Sequence, residues 1–224
     1  MSSNITDLDQ EWNIISMDIL RLRNMVEGVS EPGFTADDHL RIYTTIYGLC
    51  LDSVHSEQLY HKYRESIEEY ITSTVLPKLK ENRGELLLRE FVRRWEIHKK
   101  LVRIMSNLFR YLERHYIPGE RILGNALPML TEVGFMCFHD LVYPEIKINL
   151  MNAVVSLIDR EREGEEIYRA LLQNVLDVCI EMGMGDMNLF RKKFDECILQ
   201  QAIELTILER LFHGFYRILF LIIC

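Results

Sequence analysis

The run HKKLVRIMSNLFRYLERHYI, residues 98–117, decides the fold class. Its apolar residues Leu101, Ile104, Met105, Leu108, Tyr111 and Leu112 recur at intervals of three and four, which places them on one side of an α-helix. The same spacing extends outward in both directions. Upstream, Leu8, Trp12, Ile15, Ile19, Leu22 and Val26 share one helical face, and Gly28 to Gly33 breaks the chain. Thr35 then reads as an N-cap with Asp38 as its acidic N3 partner, opening a helix to about Asp52. A third pattern runs from Glu57 to about Lys80, with Pro77 loosening its end, and Leu86–Ile97 forms a segment before His98–Ile117. Downstream, Pro118-Gly119 is expected to stop the helix. Further helices are predicted over Leu130–Tyr143, Glu145–Arg162, Glu165–Met182 and Asp186–Gln200, punctuated by Pro144 and Gly164. No segment alternates with period two between turn residues, so the fold class is all-α.

Composition agrees. Only 11 Gly and 5 Pro occur in 224 residues, too few for a turn-rich all-β fold. Hydrophobic residues at 48% and charged residues at 27% supply an ordinary globular core. With 26 Lys and Arg against 34 Asp and Glu, the net charge is -8 and the pI about 5.4. Such a chain has no general attraction for phosphate backbones, and no nucleic-acid partner is expected. Five scattered cysteines, no C-x-x-C pair and no secretory leader point to a reduced intracellular protein without a disulfide frame or zinc cluster. The stretch 118–128, with Gly119, Gly124 and Asn125, is the candidate internal boundary, dividing 1–125 from 126–200. Residues 201–224 form a divergent tail in which 11 of the last 14 residues are apolar. That run is shorter than the ~17–25 residues a bilayer span needs. It is read as a terminal helix packing on its neighbours, with a membrane contact by 211–224 the weaker alternative because His213 and Arg217 interrupt it.

The search for chemistry yields no catalytic residues. H-E-x-x-H, Walker A and G-x-S-x-G patterns are missing, and Gly183-Met-Gly185 follows a helix and lacks the third glycine of a dinucleotide loop. Asp52-Ser-Val-His55 is a single carboxylate–histidine pair where a di-iron bundle needs facing copies, so neither metal nor cofactor is expected. Asp159–Glu165 reads as a solvated charge run, and Cys179 and Cys197 as core filler. One helix is unusual. Leu40, Tyr43 and Tyr47 form one apolar line on it, and Ile42, Ile46 and Leu49 an adjoining line. A helix apolar on two faces is either fully buried or buried on one side and used by a partner on the other. Periodicity leaves both open.

Several blocks in order carry a family resemblance. They include Leu40–Tyr47, Leu59–Glu65, Tyr70–Pro77, Arg94-Trp95, His98-Lys99 and Tyr111–Arg114. Glu132–Gly134, Cys137–Tyr143, Asp159–Glu165 and Arg169–Asp177 continue the series. Over about residues 8 to 200 the chain resembles the N-terminal part of a cullin, of the class that takes the Skp-type adaptor of F-box receptors, in its plant branch. The resemblance implies an elongated stalk of cullin repeats, each of about five helices. Residues 1–125 would form a complete first repeat and 126–200 part of a second. It further implies adaptor binding by the second and fifth helices of the first repeat. The matching second-helix residues are Leu40, Ile42, Tyr43, Ile46 and Tyr47, and the fifth-helix surface would comprise His98, Leu101, Val102 and Met105. His39-Leu40 departs from the Tyr-Met usual there, exchanging aromatic area for a polar ring.

The implied function is a non-catalytic, SCF-type scaffold of a cullin-RING ubiquitin ligase in ubiquitin-dependent protein degradation, nuclear and cytoplasmic. Similarity fades after about Gln200, and nothing corresponds to the family's RING-binding, neddylated C-terminal domain. A RING protein is therefore not expected to bind, and the chain is expected to act as an adaptor-sequestering competitor or to be an inactive truncated form. A non-functional relic and a membrane-associated adaptor binder are the alternatives.

Overall fold

The computed structural model describes residues 8–29 and 33–182, and every regular element among them is helical. Eight α-helices follow one another: α1 (Leu8–Glu27), α2 (Ala36–Leu49), α3 (Ser53–Tyr70), α4 (Leu76–Glu81), α5 (Gly84–Leu108), α6 (Ile117–Ile122), α7 (Leu130–Arg162) and α8 (Arg169–Met182). The helix expected over Asp186–Gln200, the glycines at 183 and 185, and the apolar tail lie outside the described residues.

The chain punctuates its helices differently from the expectation. Leu86–Ile97 and His98–Ile117 are not separate segments, because α5 runs unbroken through Ile97 and His98. Pro144 likewise sits inside a continuous α7. It is exposed, as is Asp140 one turn earlier, so the carbonyl that loses its bond faces solvent and is not orphaned in the core. Pro77 and Pro118 act differently again. Each follows a five-residue π-helical turn, Ile71–Val75 and Leu112–Tyr116, by two residues. A proline ring collides with the carbonyl four residues back, and i→i+5 bonding moves that carbonyl away. The helix therefore continues as α4 and α6 where Pro118-Gly119 was expected to end it. True ends fall at Gly28, Gly124 and Gly164, each with positive φ and the paired backbone bonds of a Schellman motif.

Packing divides the described residues into two compact units, one within residues 8–78 and 93–144 and the other within residues 79–92 and 145–182. This division does not fall at the 118–128 stretch, since residues 130–144 of α7 pack within the first unit. In that unit Trp95 lies against Phe135 and Phe138, and Phe109 against Tyr63 and Trp12. Tyr60 and Tyr63 donate to the carbonyls of Pro128 and Leu130, fixing the entry to α7. A buried charge cluster closes the end of α1. Both oxygens of Glu27 accept from Arg94 at 2.7 Å, Lys78 donates at 3.0 Å, and the Tyr70 hydroxyl donates as well. Burial alone would raise the Glu27 carboxyl, but the hydrogen bonds from Tyr70, Arg94 and Lys78 outweigh it and hold the group at about 2. In the second unit Leu87, Leu88 and Phe91 are buried, as are Leu150, Leu157 and the α8 face Leu171, Val175 and Val178. Arg160 bridges Glu85 and Glu165 there.

Candidate functional site

The chain's doubly apolar helix is α2, and local chemistry fixes how it sits. Thr35 accepts from the Asp38 N–H while Asp38 accepts from the Thr35 N–H, a capping box as expected from the sequence. Arg41 then grips Asp18 of α1 through two bonds of 2.8 and 3.0 Å. Asp38 is held well below the usual carboxylate range, first by the backbone hydrogen bond from Thr35 and then by its hydroxyl. With α2 locked on α1, the line Ile42, Ile46 and Leu49 turns inward and is buried.

The other line faces out. Leu40 is 62% exposed, Tyr47 is 44% exposed, and Tyr43 is half-buried between them. Tyr47 meets Tyr111 edge-on at 5.0 Å, and Tyr111 in turn lies 4.4 Å from the His115 ring. Beside this line is a shallow hollow of about 390 Å³, lined by His39, Leu40, Tyr43, Asn107, Arg110 and Arg114. His39 is tied into the capping turn. Its Nδ1 lies 3.0 Å from the Thr35 carbonyl, and its ring meets Phe34 edge-on at 4.9 Å.

Three of the nine residues expected to face a partner are therefore accessible: Leu40, Tyr43 and Tyr47. The other six are interior. Ile42 and Ile46 belong to the inward line, and His98, Leu101, Val102 and Met105 are fully buried. The reason lies in α7. His98 donates from Nε2 to the Gly134 carbonyl at 2.8 Å and packs between Trp95 and Phe138. Val102 lies so close to Gly134 that a Cβ there would stand 2.6 Å from its Cγ2. Desolvation drives the His98 imidazole down to about 4, with the Gly134 hydrogen bond opposing it only partly. His98 is thus a neutral core residue, and no partner can touch these four side chains without unpacking α5 from α7.

The outward contribution of α5 and the turn after it comes one to two turns later. Asn107, Arg110, Tyr111 and Arg114 recur at intervals of three, one and three, and all but the half-buried Tyr111 are exposed. That spacing is legible in the sequence, whereas the resemblance matches the helix without distinguishing its faces. The assembled surface pairs aromatic and aliphatic anchors with a cationic rim, and no nucleophile–base pair lies in it.

The family model of the cullin α-solenoid domain matches residues 20–205. Cullin-1 of Oryza sativa subsp. japonica is 48% identical over 199 residues, covering 88% of this chain and 26% of that protein. Putative cullin-like protein 2 of Arabidopsis thaliana is 42% identical over 195 residues, covering 87% of this chain and 51% of that protein. Cullin-like protein 3 of the same plant is 41% identical over 192 residues, 86% of this chain and 73% of that protein. The chain thus spans about a quarter of one such relative and about half of another.

Proposed function

This chain belongs to the cullin family, and from that premise we propose that it is a non-catalytic scaffold subunit of an SCF-type cullin-RING ubiquitin ligase. Its first unit docks a Skp-type adaptor carrying an F-box protein, and a nuclear and cytoplasmic location goes with that role. The observation that carries the reading is the outward line Leu40, Tyr43 and Tyr47 beside the hollow rimmed by Arg110 and Arg114. A monomeric fold seldom leaves two tyrosines and a leucine on one helical line without a use for them. Aromatic anchors near an arginine rim are the residues that dominate binding energy at protein interfaces.

Calorimetric titration with a purified adaptor–F-box complex tests this. Tyr43→Ala and Tyr47→Ala are each expected to weaken binding about tenfold or more, the scale of a hot-spot truncation. Both positions reach solvent, so each variant should melt close to the parent, whereas the inward Ile46 would confound binding with folding. Full affinity in the double variant, or no binding by the folded parent chain, would overturn the proposal.

A further inference from the structure

The chain is acidic overall, yet one face of α5 and the turn beyond it is the reverse. Lys100, Arg103, Asn107, Arg110 and Arg114 recur at intervals of three and four, and all five are exposed. They share one side of the helix over about 20 Å. None of the four cations forms an ion pair among the described residues, and the only partner of Arg110 is the Asn107 side chain. Other basic groups of this unit pair with acids, as Arg41 does with Asp18 and Arg94 with Glu27. Two hollows meet on the stripe. The one of about 390 Å³ holds Arg110 and Arg114, the larger of about 820 Å³ holds Lys99, Lys100 and Arg103, and Asn107 lines both. Glu96 and Glu113 also line the larger hollow, but Glu96 pairs with Lys99 and Glu113 accepts from the Leu130 N–H.

Four unpaired cations in a row, continuous with an aromatic line, ask for an anionic partner that also presents apolar side chains. We propose that the stripe Lys100–Arg114 receives an acidic polypeptide segment of the docked adaptor complex, and that it sets how fast the complex forms, not how long it lasts. A duplex or a lipid headgroup surface fits less well, because the stripe adjoins the aromatic and aliphatic line Leu40, Tyr43 and Tyr47, which calls for a partner that also presents apolar side chains. Exposed charges contribute little to the bound lifetime, since water and salt screen them once the partner is seated. They act at longer range, where opposite fields raise the association rate. The inference rests on the docking site proposed above, but it adds Lys100 and Arg103 to Arg110 and Arg114 of that rim and is read in a different observable.

Stopped-flow association of the full chain with the adaptor–F-box complex tests it, comparing the parent with a Lys100→Glu/Arg103→Glu variant. These two side chains lie outside the smaller hollow, so the aromatic anchors are left in place. At about 20 mM salt, where screening is weak, the association rate should fall about tenfold with the dissociation rate unchanged. At about 0.5 M salt the difference should vanish. Equal association rates at low salt, with Tyr47→Ala still weakening binding, would overturn the stripe and spare the docking site. No binding by the parent would overturn both. A twelve-residue oligoglutamate peptide supplies a direct probe, and its low-salt binding should be lost in the reversal variant. Tighter binding of duplex DNA or phosphatidylserine vesicles than of that peptide would overturn the assigned partner chemistry.

Discussion

Replacing Gly134 by alanine should unseat the contact that buries the expected docking residues. A Cβ at this position would stand 2.6 and 2.7 Å from the two Val102 methyls and 3.2 Å from its Cβ. Carbon atoms rest comfortably at about 3.5–4.0 Å, so α5 and α7 must part by about 1 Å here. Val102 is fully buried and branched at Cβ, so no rotamer clears the clash. Overpacking of this kind costs about 1–3 kcal/mol. The same shift stretches the 2.8 Å bond from His98 to the Gly134 carbonyl. Leaving that buried donor unpaired adds about 1–3 kcal/mol. Alanine gains back about 1 kcal/mol over glycine within a helix. The balance is a loss of about 3 kcal/mol, or about 6–12 °C in Tm for a chain of this size. Thermal melting followed by circular dichroism measures it. The cycle with Val102→Ala, which removes both colliding methyls, should show the two substitutions partly cancelling. A Gly134→Ala chain that melts at or above the parent, or strict additivity with Val102→Ala, would refute the reasoning.

Acid should unfold the first unit in two windows. His98 titrates at about 4 when folded against about 6.5 when unfolded, so between those values the unfolded chain holds the extra proton and stability falls as pH falls. Glu27 sits at about 2 against an ordinary 4.5, so its contribution is complete above 4.5 and is lost as pH drops towards 2. The His98 shift corresponds to about 3 kcal/mol, and Glu27 contributes less because the half-exposed Lys78 keeps its cluster in touch with solvent. Urea midpoints measured across pH 7 to 3 should decline, and Glu27→Gln should flatten the lower part of the curve. Removing one partner of the buried pair, as in Glu27→Ala, should cost about 3–5 kcal/mol in the same assay because Arg94 is left charged and buried. Burial pushes the thiols of Cys50 and Cys137 up to about 11 and that of Cys179 up to about 12. Mass-spectrometric mapping should therefore find these three alkylated at least about a hundredfold more slowly than a free thiol at neutral pH. His39→Tyr enlarges the aromatic surface beside Leu40 and should tighten adaptor binding about five- to thirtyfold by calorimetry.

Apolar spacing identified the helices well because a buried face leaves a period of 3.6 in any sequence. It also marked Thr35 and Asp38, whose capping chemistry is local. What it could not do was tell a face buried by a neighbour from a face offered to a partner. Leu40, Tyr43 and Tyr47 read much like Ile42 and Ile46, and only the tertiary packing of α2, with the Asp18–Arg41 clamp onto α1 beside it, turns one line in and leaves the other out. The same ambiguity applies to α5. His98 and Val102 are held inside by the close approach of Gly134, a contact between residues more than thirty positions apart, which no local pattern records. Several blocks that carry the family resemblance prove to be core: Arg94, Trp95 and His98 are all fully buried. Resemblance in those blocks therefore speaks for the fold more than for the partner.

The π-helical turns carry a consequence for how this chain can vary. A bond from i to i+5 stacks residues five apart, where an α-helix stacks those three and four apart. Leu112 and Ile117 are five apart and both fully buried, and so are Tyr70 and Val75, to within 1%. Each pair shares one azimuth only because an additional residue is accommodated between its members. Removing one residue from 112–116 and returning to ordinary α winding would leave Ile117 four positions after Leu112 and close to the same azimuth. Keeping all five residues while losing the i→i+5 bonds would instead swing Ile117 about 100° out of phase with the core. Residue count and winding therefore have to change together, and the core registers a mismatch between them sooner than a change of side chain.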